Sequence, residues 1–551
     1  MPVSVVGKPI SRVDARAKVT GEARYPGDWY LPGMLHARVV WSEYPHARLR
    51  CIDIARASAC PGVVAVLTHR DIPVNEFGII EYDQHVLAED VVRWIGEPVA
   101  LVVAETEGAA EEGRELVRVE YEPLPVVSDP VAAMEPGAPL VHPERGSNIL
   151  SYNRIRRGDV DRALGEAEVV VEGVYRTPHV EHAYLQPEAG VAYLDEEGRL
   201  TVVVAAQWPH DDVRQIAHAL ALPPEQVREI VPAVGGAFGG REDISLQILV
   251  ALAAWKTGRP VKLVWTREES VRGHGKRHPF LMQYRWGASR GRLVAAEVRL
   301  VADAGAYAST SKVVLANAVS VAVGPYVIPN VRVEGYAVYT NNPPTMAMRG
   351  FGTTQPPVAY EVIMDRLAKA QGIDPVEFRL DNMLEEGSLL ATGVPVPPGV
   401  GVKETLRRAA LAAGWRQEGE RWVRPARKIL PDGRRWGIGV ASSFKNVGYS
   451  FGFDDKSTAR VELSLDGEGR ILGAELAIGA SEVGMGVHTV LTQLAAETLG
   501  LSPDKVKLLE VDTARVPDAG SSSASRHTYV SGNAVVGACR AALARAAELL
   551  A

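Results

Sequence analysis

Val234-Gly235-Gly236-Ala237-Phe238-Gly239-Gly240-Arg241-Glu242 carries four glycines, one aromatic ring and an adjacent charge pair. Residues 226–231 before it read as a strand, and residues 243–256 after it read as a helix. Glycine admits φ > 0 and lets a ligand approach the backbone closely. Backbone N–H groups at a strand-to-helix turn can form an anion cradle at the helix N-terminus. A nucleotide phosphate loop fits poorly, because G-x-x-x-x-G-K-[ST] is absent and the spacing is not G-x-G-x-x-G. Taken alone, the stretch is as consistent with a tight loop whose Phe238 packs into the core.

The rest of the chain bounds the answer. Its 551 residues imply roughly three to four domains. With 60 basic and 67 acidic residues the net charge is −7, which argues against a nucleic-acid-binding surface. Cys51, Cys60 and Cys539 form no C-x-x-C, so they make neither an iron–sulfur nor a zinc motif. Sparse cysteines, no apolar signal core and no long apolar run predict a cytoplasmic protein without a membrane span. Residues 533–551 read as a helix that stops inside its own apolar pattern, so a partner or a missing C-terminal segment is expected to complete it.

Residues 1–130 read as a separate α/β unit, with strands at 35–40, 63–67, 97–103 and 116–121 and a helix at 107–115. Prolines at 123, 125, 130, 136, 139 and 143 mark a linker, assigned to residues 131–150. An internal repeat follows. Residues 190–204 read as strand, turn and strand, then come a helix at 210–220 and a strand at 226–231. Residues 460–476 repeat that order, with a helix at 487–499 and a strand after Leu501-Ser-Pro-Asp. Repeated units pack on related cores. Two similar lobes are therefore expected, at 151–385 and 400–551, with a ligand cleft between them.

Four small-residue loops sit at comparable places in these lobes. They are 235–240, 347–355 before a helix at 357–370, 479–489, and 512–528 with its run Gly520-Ser-Ser-Ser-Ala-Ser525. Hydroxyls, glycines and helix N-termini suit a large phosphate-bearing cofactor. The run Arg267-Glu-Glu-Ser-Val-Arg-Gly-His274-Gly-Lys-Arg277-His278 reads as a solvated or partner-facing segment. No H-E-x-x-H and no G-x-S-x-G is present, which weakens hydrolase readings.

Taken together these motifs resemble the molybdenum–pterin-binding large subunit of the xanthine dehydrogenase/aldehyde oxidase family. The resemblance rests on Ala-Ala-Gln207-Trp-Pro-His, the Gly-Gly-Ala-Phe-Gly-Gly-Arg-Glu loop, Thr266-Arg-Glu-Glu-Ser with Arg277-His-Pro-Phe280, and Asp303-Ala-Gly-Ala-Tyr307. It continues through Met348-Arg-Gly-Phe-Gly352 with Gln355, Val483-Gly-Met-Gly486 and Ser531-Gly-Asn-Ala-Val535. It implies an α+β, multidomain fold: an N-terminal α/β hammerhead domain followed by two related mixed α/β lobes that sandwich the cofactor, the second incomplete. The cofactor implied is molybdenum–molybdopterin in its cytosine dinucleotide form, the metal being held by the pterin and not directly by the protein.

The resemblance also implies roles for particular residues. Gln207 would lie near an oxygen ligand of the metal, and Gly236, Ala237, Phe238 and Gly239 would approach the centre. Glu242 would face the substrate, Arg349 would support the site, and Phe351 would stack on a planar substrate. Gly484, Met485, Gly486, His488, Thr489, Ser523, Ala524, Ser525 and Asn533 would hold the pterin and its phosphates. The implied reaction hydroxylates an aldehyde or N-heteroaromatic substrate with water as oxygen donor. Its electrons would pass to partner subunits carrying 2Fe-2S clusters and FAD, in a complex that forms a higher-order dimer.

Three features depart from the family pattern. No Gly-Glu motif for the catalytic base occurs before Ala551, so a second molybdopterin-lobe chain or a missing segment would supply it. Met485 stands where glutamine is usual and cannot donate an amide hydrogen bond. The loop at 313–319 has neither the arginine of purine-oxidising members nor the cysteine of the carbon monoxide type, which disfavours both substrates. The alternative reading is a non-catalytic scaffold or cofactor-binding subunit of the same fold.

Overall fold

The computed structural model describes residues 4–419, 421–426, 428–449 and 453–551. An eight-stranded sheet organises it, in the spatial order Val511–Asp512, Val227–Val231, Leu200–Val204, Ala189–Leu194, Val261–Val264, Leu35–Trp41, Pro98–Ala104 and Val63–Leu67. All three parts of the chain contribute strands. The N-terminal unit is therefore not separate in its hydrogen bonding: Leu35–Trp41 runs parallel to Val261–Val264, with Leu35 opposite Val261. The strand Leu200–Val204 is buried at every residue, as expected of a strand covered on both faces. The helix Gln247–Thr257 is apolar all round and buried from Gln247 to Ala254, so it can only be a core helix.

A five-stranded sheet, ordered Ile149–Arg157, Asn330–Tyr339, Arg292–Gly305, Phe280–Ser289 and Val169–Thr177, lies beside it. The helix Pro356–Ala370 covers Phe280–Ser289 and Val169–Thr177. The proline-rich stretch at 131–150 is packed onto this sheet: Ala133 and Val141 share an apolar cluster with Val301, Val338 and Tyr339. The strand Ala47–Asp53, absent from the sequence-based expectation, pairs with Arg118–Pro123.

The internal repeat is real down to its turns. In the first copy Ala189–Leu194 and Leu200–Val204 form an antiparallel hairpin, and Val227–Val231 returns parallel after the helix Pro209–Ala219. In the second, Arg460–Leu465 and Ile471–Ala477 pair antiparallel, and Val506–Leu508 returns parallel after Val487–Leu499. Each hairpin turn is closed by an aspartate that accepts two backbone N–H groups and a guanidinium: Asp195 from Glu197 and Arg199, Asp466 from Glu468 and Arg470. The copies meet where Val511–Asp512 pairs antiparallel with Val227–Val231 and Arg228 grips the Asp512 carboxylate at 2.9 and 2.6 Å.

Two local expectations are corrected. The helix after the glycine loop begins at Gln247, not at 243, because the Gln247 carboxamide accepts from the N–H groups of Ser245 and Leu246 and caps its own helix. The segment at 313–319 is not a loop but the middle of the helix Ser311–Ser320.

Candidate active site

The glycine loop of the first lobe is held from behind by Gln207, which follows the strand Leu200–Val204. Its Oε1 accepts from Gly239 N at 3.1 Å and Arg241 N at 3.3 Å, and its backbone N–H donates to Arg241 O at 2.7 Å. Its Nε2 donates to Ser522 O at 2.8 Å, across the seam to the second lobe. The carboxamide expected near a metal ligand is thus engaged by both loops, with one Nε2 hydrogen left over. Gly239 has φ +104°, and a Cβ there would lie 2.7 Å from Ala347 O. Only glycine lets the loop at 347–352 approach this closely. Arg349 N donates to Phe238 O at 2.7 Å and ties the two loops together.

Each lobe pins its loop with a buried arginine over a tyrosine. Arg241 donates to Gly236 O at 3.0 Å and Gln186 O at 2.6 Å and stacks 4.1 Å from the Tyr184 ring centroid. Arg526, fully buried, donates to Asp455 Oδ1 at 2.6 Å and to the carbonyls of Ala519, Ser521 and Lys456, and stacks 5.0 Å from the Tyr449 centroid. Planar, multiply donating guanidinium suits this task where ammonium would not.

Behind the serine loop runs a buried hydrogen-bond chain. Ser522 Oγ donates to Ser481 O at 2.8 Å, so it accepts from His527 Nε2 at 2.7 Å. His527 Nδ1 then accepts from Ser531 Oγ at 2.7 Å, and Ser531 accepts from Ser457 Oγ at 2.9 Å. The tautomer follows from the neighbours. Burial pushes the imidazole down to about 3, so it stays neutral.

Glu242, expected to face the substrate, is buried in this chain. It lies at the seam, where Ser521 Oγ donates to it at 2.7 Å. Burial raises its carboxyl, and hydrogen bonds from Ser523 and Ser521 oppose the shift. Next to it, burial pushes Asp243 up to about 7.

At the loop 484–489, expected to hold the pterin and its phosphates, an internal carboxylate engages the backbone donors. The Glu482 carboxylate accepts from the N–H groups of Gly484 at 2.7 Å, Gly486 at 2.9 Å and His488 at 3.3 Å, so the helix N-terminus already holds an anion. His488 Nε2 turns inward to Ala480 O, and Thr489 Oγ1 accepts from Val13 N. Met485 is half exposed. A cavity of about 600 Å³ borders Glu482 and His488, but Asp14, Glu22, Glu482 and Glu510 outnumber Lys18 and Arg24 in its wall, which disfavours phosphate. Asn533 is exposed and turns its amide to Tyr529 O on its own helix.

Phe238 and Phe351 hold φ +55° and +51°, a strained setting for an aromatic residue. Phe238 is 45 % exposed, whereas Phe351 rests partly on the core beneath it. Ala524 and Ser525 are also left-handed, at +53° and +54°. Among the described residues no hydrogen bond engages the N–H groups of Gly236, Ala237 and Phe238, although Ala237 is fully buried. Three consecutive N–H groups without a protein partner, next to a half-exposed ring, fit the oxygen-rich molybdenum–pterin group that the resemblance implies. Sequence reasoning misses Glu482, places Arg526 and His527 only within a loop expected to hold the pterin, and misjudges the run at 267–278. Ser270, His274 and His278 in that run are buried, because Gly273 and Gly275 let it pass under Trp41 and Met346. The legible signal is the repeat itself: Arg241 and Arg526 each close the loop of their copy.

Comparison with known proteins places these features in context. Residues 141–383 and 408–551 each match the family model described as molybdopterin cofactor-binding domain, and residues 20–125 match the aldehyde oxidase and xanthine dehydrogenase a/b hammerhead domain. The chain is 38% identical over 535 residues to a probable xanthine dehydrogenase subunit of Bacillus subtilis, covering 96% of this chain and 70% of that one. It is 43% identical over 407 residues to the nicotinate dehydrogenase large molybdopterin subunit of Eubacterium barkeri, covering 74% and 95%. The aldehyde oxidoreductase structure from Desulfovibrio desulfuricans superposes with a TM-score of 0.87 at 27% identity, covering 98% of this chain and 60% of that one. The quinoline 2-oxidoreductase structure from Pseudomonas putida gives 0.83 at 26% identity, covering 98% and 71%.

Proposed function

Because this chain belongs to the xanthine dehydrogenase/aldehyde oxidase family of molybdenum hydroxylases, we propose that it binds molybdenum–molybdopterin at the lobe seam and presents it to an aldehyde or N-heteroaromatic substrate. The observation that carries this is the run of open N–H donors at Gly236, Ala237 and Phe238, held in place by Gln207 and Arg241. When bound, the cofactor would supply two-electron oxidation with water as the oxygen source. The protein's part is positioning. Fixed backbone donors offer hydrogen bonds to oxygen ligands without net charge and without reorganisation. Phe238 forms an apolar wall beside them, and Phe351, on the loop tied to it through Arg349, presents a second ring to a planar substrate. Ser523 and Ser525, on the facing serine loop, supply hydroxyls for the pterin side. Glu242 binds Ser521 and keeps the two loops in register.

The finer assignments are part of the same proposal. The cofactor is taken to be the cytosine dinucleotide form. With Cys51 exposed and Cys60 and Cys539 buried, none in a cluster-binding motif, electrons leave to partner subunits carrying iron–sulfur clusters and FAD. The substrate class follows the relatives, whose names include nicotinate dehydrogenase and quinoline 2-oxidoreductase.

Native mass spectrometry of the purified complex, with molybdenum quantified, tests this reading. Stoichiometric molybdenum with co-purifying polypeptides that show iron–sulfur and flavin absorption is the expected result. An intact complex free of molybdenum would overturn it. Phe238→Ala should alter the spectrum of the metal centre, and an unchanged spectrum and rate would remove Phe238 from its side.

A further inference from the structure

We propose that Glu181, His182 and His274 form a transition-metal site, suited to Zn²⁺, directly behind the two glycine loops of the first lobe. One ligand atom from each residue lies within 4.8 Å of the other two. His182 Nε2 donates to Ala347 O at 2.8 Å, and His274 Nε2 donates to Gly240 O at 2.7 Å. A carbonyl can only accept, so each neutral ring carries its proton on Nε2 and its lone pair on Nδ1. Both Nδ1 atoms are buried and have no hydrogen-bond partner. His274 Nδ1 lies 3.8 Å from Glu181 Oε1. A lone pair facing a carboxylate across that gap is repulsive, and a cation shared between them makes the contact attractive. Metal-binding histidines show this arrangement: one nitrogen to the ion, the other donating to a backbone carbonyl.

The surroundings support the assignment. Gly240 makes room, since a Cβ there would lie 2.8 Å from His274 Cε1 and 2.9 Å from His182 Cγ. Lys276 Nζ pairs with Glu181 Oε2 at 2.5 Å and donates to the carbonyls of Val271 and His274, so an ion would share the carboxylate with it and bind through Oε1, which accepts from His182 N at 3.1 Å and faces His274 Nδ1. Two imidazoles and a single carboxylate favour a nitrogen-preferring ion over Mg²⁺ or Ca²⁺, which need more oxygen ligands. The role is structural. An ion on Nδ1 strengthens the Nε2–H bonds to Gly240 O and Ala347 O, and so the hold on the loops that carry Phe238 and Phe351. The run at 267–278 thereby gains a purpose that its charge pattern conceals.

The site stands apart from the molybdenum reading, because none of its residues is assigned to that cofactor. The test uses the purified complex, stripped with a chelator and titrated with Zn²⁺ and, separately, Co²⁺. The expected result is about one zinc per chain retained after dialysis, and the visible bands of low-coordinate Co²⁺. Glu181→Gln and His274→Gln should each weaken zinc binding by at least about tenfold, while His218→Gln, at an exposed histidine paired with Glu76, should not. The wild-type titration decides even if a variant fails to fold: no retained zinc and no Co²⁺ bands would overturn the proposal. Undiminished binding in both folded variants would overturn it equally. Zinc uptake by a molybdenum-free preparation would support it independently of the molybdenum site.

Discussion

Gln207 and Ser522 exchange two hydrogen bonds across the lobe seam, Gln207 Nε2 to Ser522 O and Ser522 N to Gln207 O, both at 2.8 Å. The same carboxamide accepts from Gly239 and Arg241, so one side chain joins the glycine loop of one lobe to the serine loop of the other. Loop geometry and lobe geometry are therefore a single variable at this point.

Gln207→Ala would leave two N–H groups and one carbonyl without partners in a buried place. A loss of about 2–4 kcal/mol is expected, on the scale of one to three per unsatisfied group with partial relaxation. Urea unfolding of the variant measures it. A loss under about half a kcal/mol would show that the seam is held elsewhere.

Gly239→Ala should cost more than its chemistry suggests. The new Cβ would sit against Ala347 O and the φ of +104° would be strained, giving about 2–4 kcal/mol in all. Gly258 has φ +65° with open space around it, so Gly258→Ala should cost only about 1 kcal/mol. Equal costs at the two positions would mean that the loop at 347–352 yields freely.

Arg526→Lys keeps the charge but loses the fork that reaches Asp455 and three carbonyls. A loss of about 3–5 kcal/mol is expected, as for breaking a buried ion pair. Retained stability with normal cofactor content would show that an ammonium can do the same work.

The pH profile has two opposed parts. His182, His278 and His527 sit at about 3 in the fold, against an ordinary 6.5. Between those values the unfolded chain binds protons that the native state does not, so stability falls as pH drops from 6.5 towards 3. Asp243 behaves oppositely. It holds its proton up to about 7 when folded and only to 3.8 otherwise, so its contribution is lost as pH rises from about 4 to 7 and is level above that. Asp243→Asn should therefore gain on wild type by roughly 1.4 kcal/mol per pH unit across that window, as an upper bound. Denaturation at about pH 5, 6 and 8 would show it, and a difference independent of pH would place the Asp243 carboxyl near its ordinary value.

Much of the site is legible because repeats and glycines leave marks in sequence. The two copies of hairpin, helix and parallel strand can be read from spacing, and their helices lie within a residue of the expected bounds. Gly236, Phe238, Arg349 and Phe351 stand out only through the family resemblance, which places them in the two glycine loops that the structure brings together at Phe238 O and Arg349 N. What fails is any statement about where a polar side chain points. Glu482 belongs to a loop expected to hold phosphate, and it fills that anion site itself. His274 lies in a run whose charge pattern suggests solvation, and it is buried.

The sequence by itself determined the family, the order of elements and the loops rich in glycine and hydroxyls. Those properties depend on local periodicity and on backbone freedom, which are written residue by residue. Only the tertiary structure decided that the hammerhead strands share a sheet with the first lobe, that Glu242 closes the seam with Ser521, and that Glu181, His182 and His274 converge. Apart from the neighbours Glu181 and His182, such pairings join residues tens to hundreds of positions apart, and their partners are selected by packing and desolvation, which no local pattern encodes.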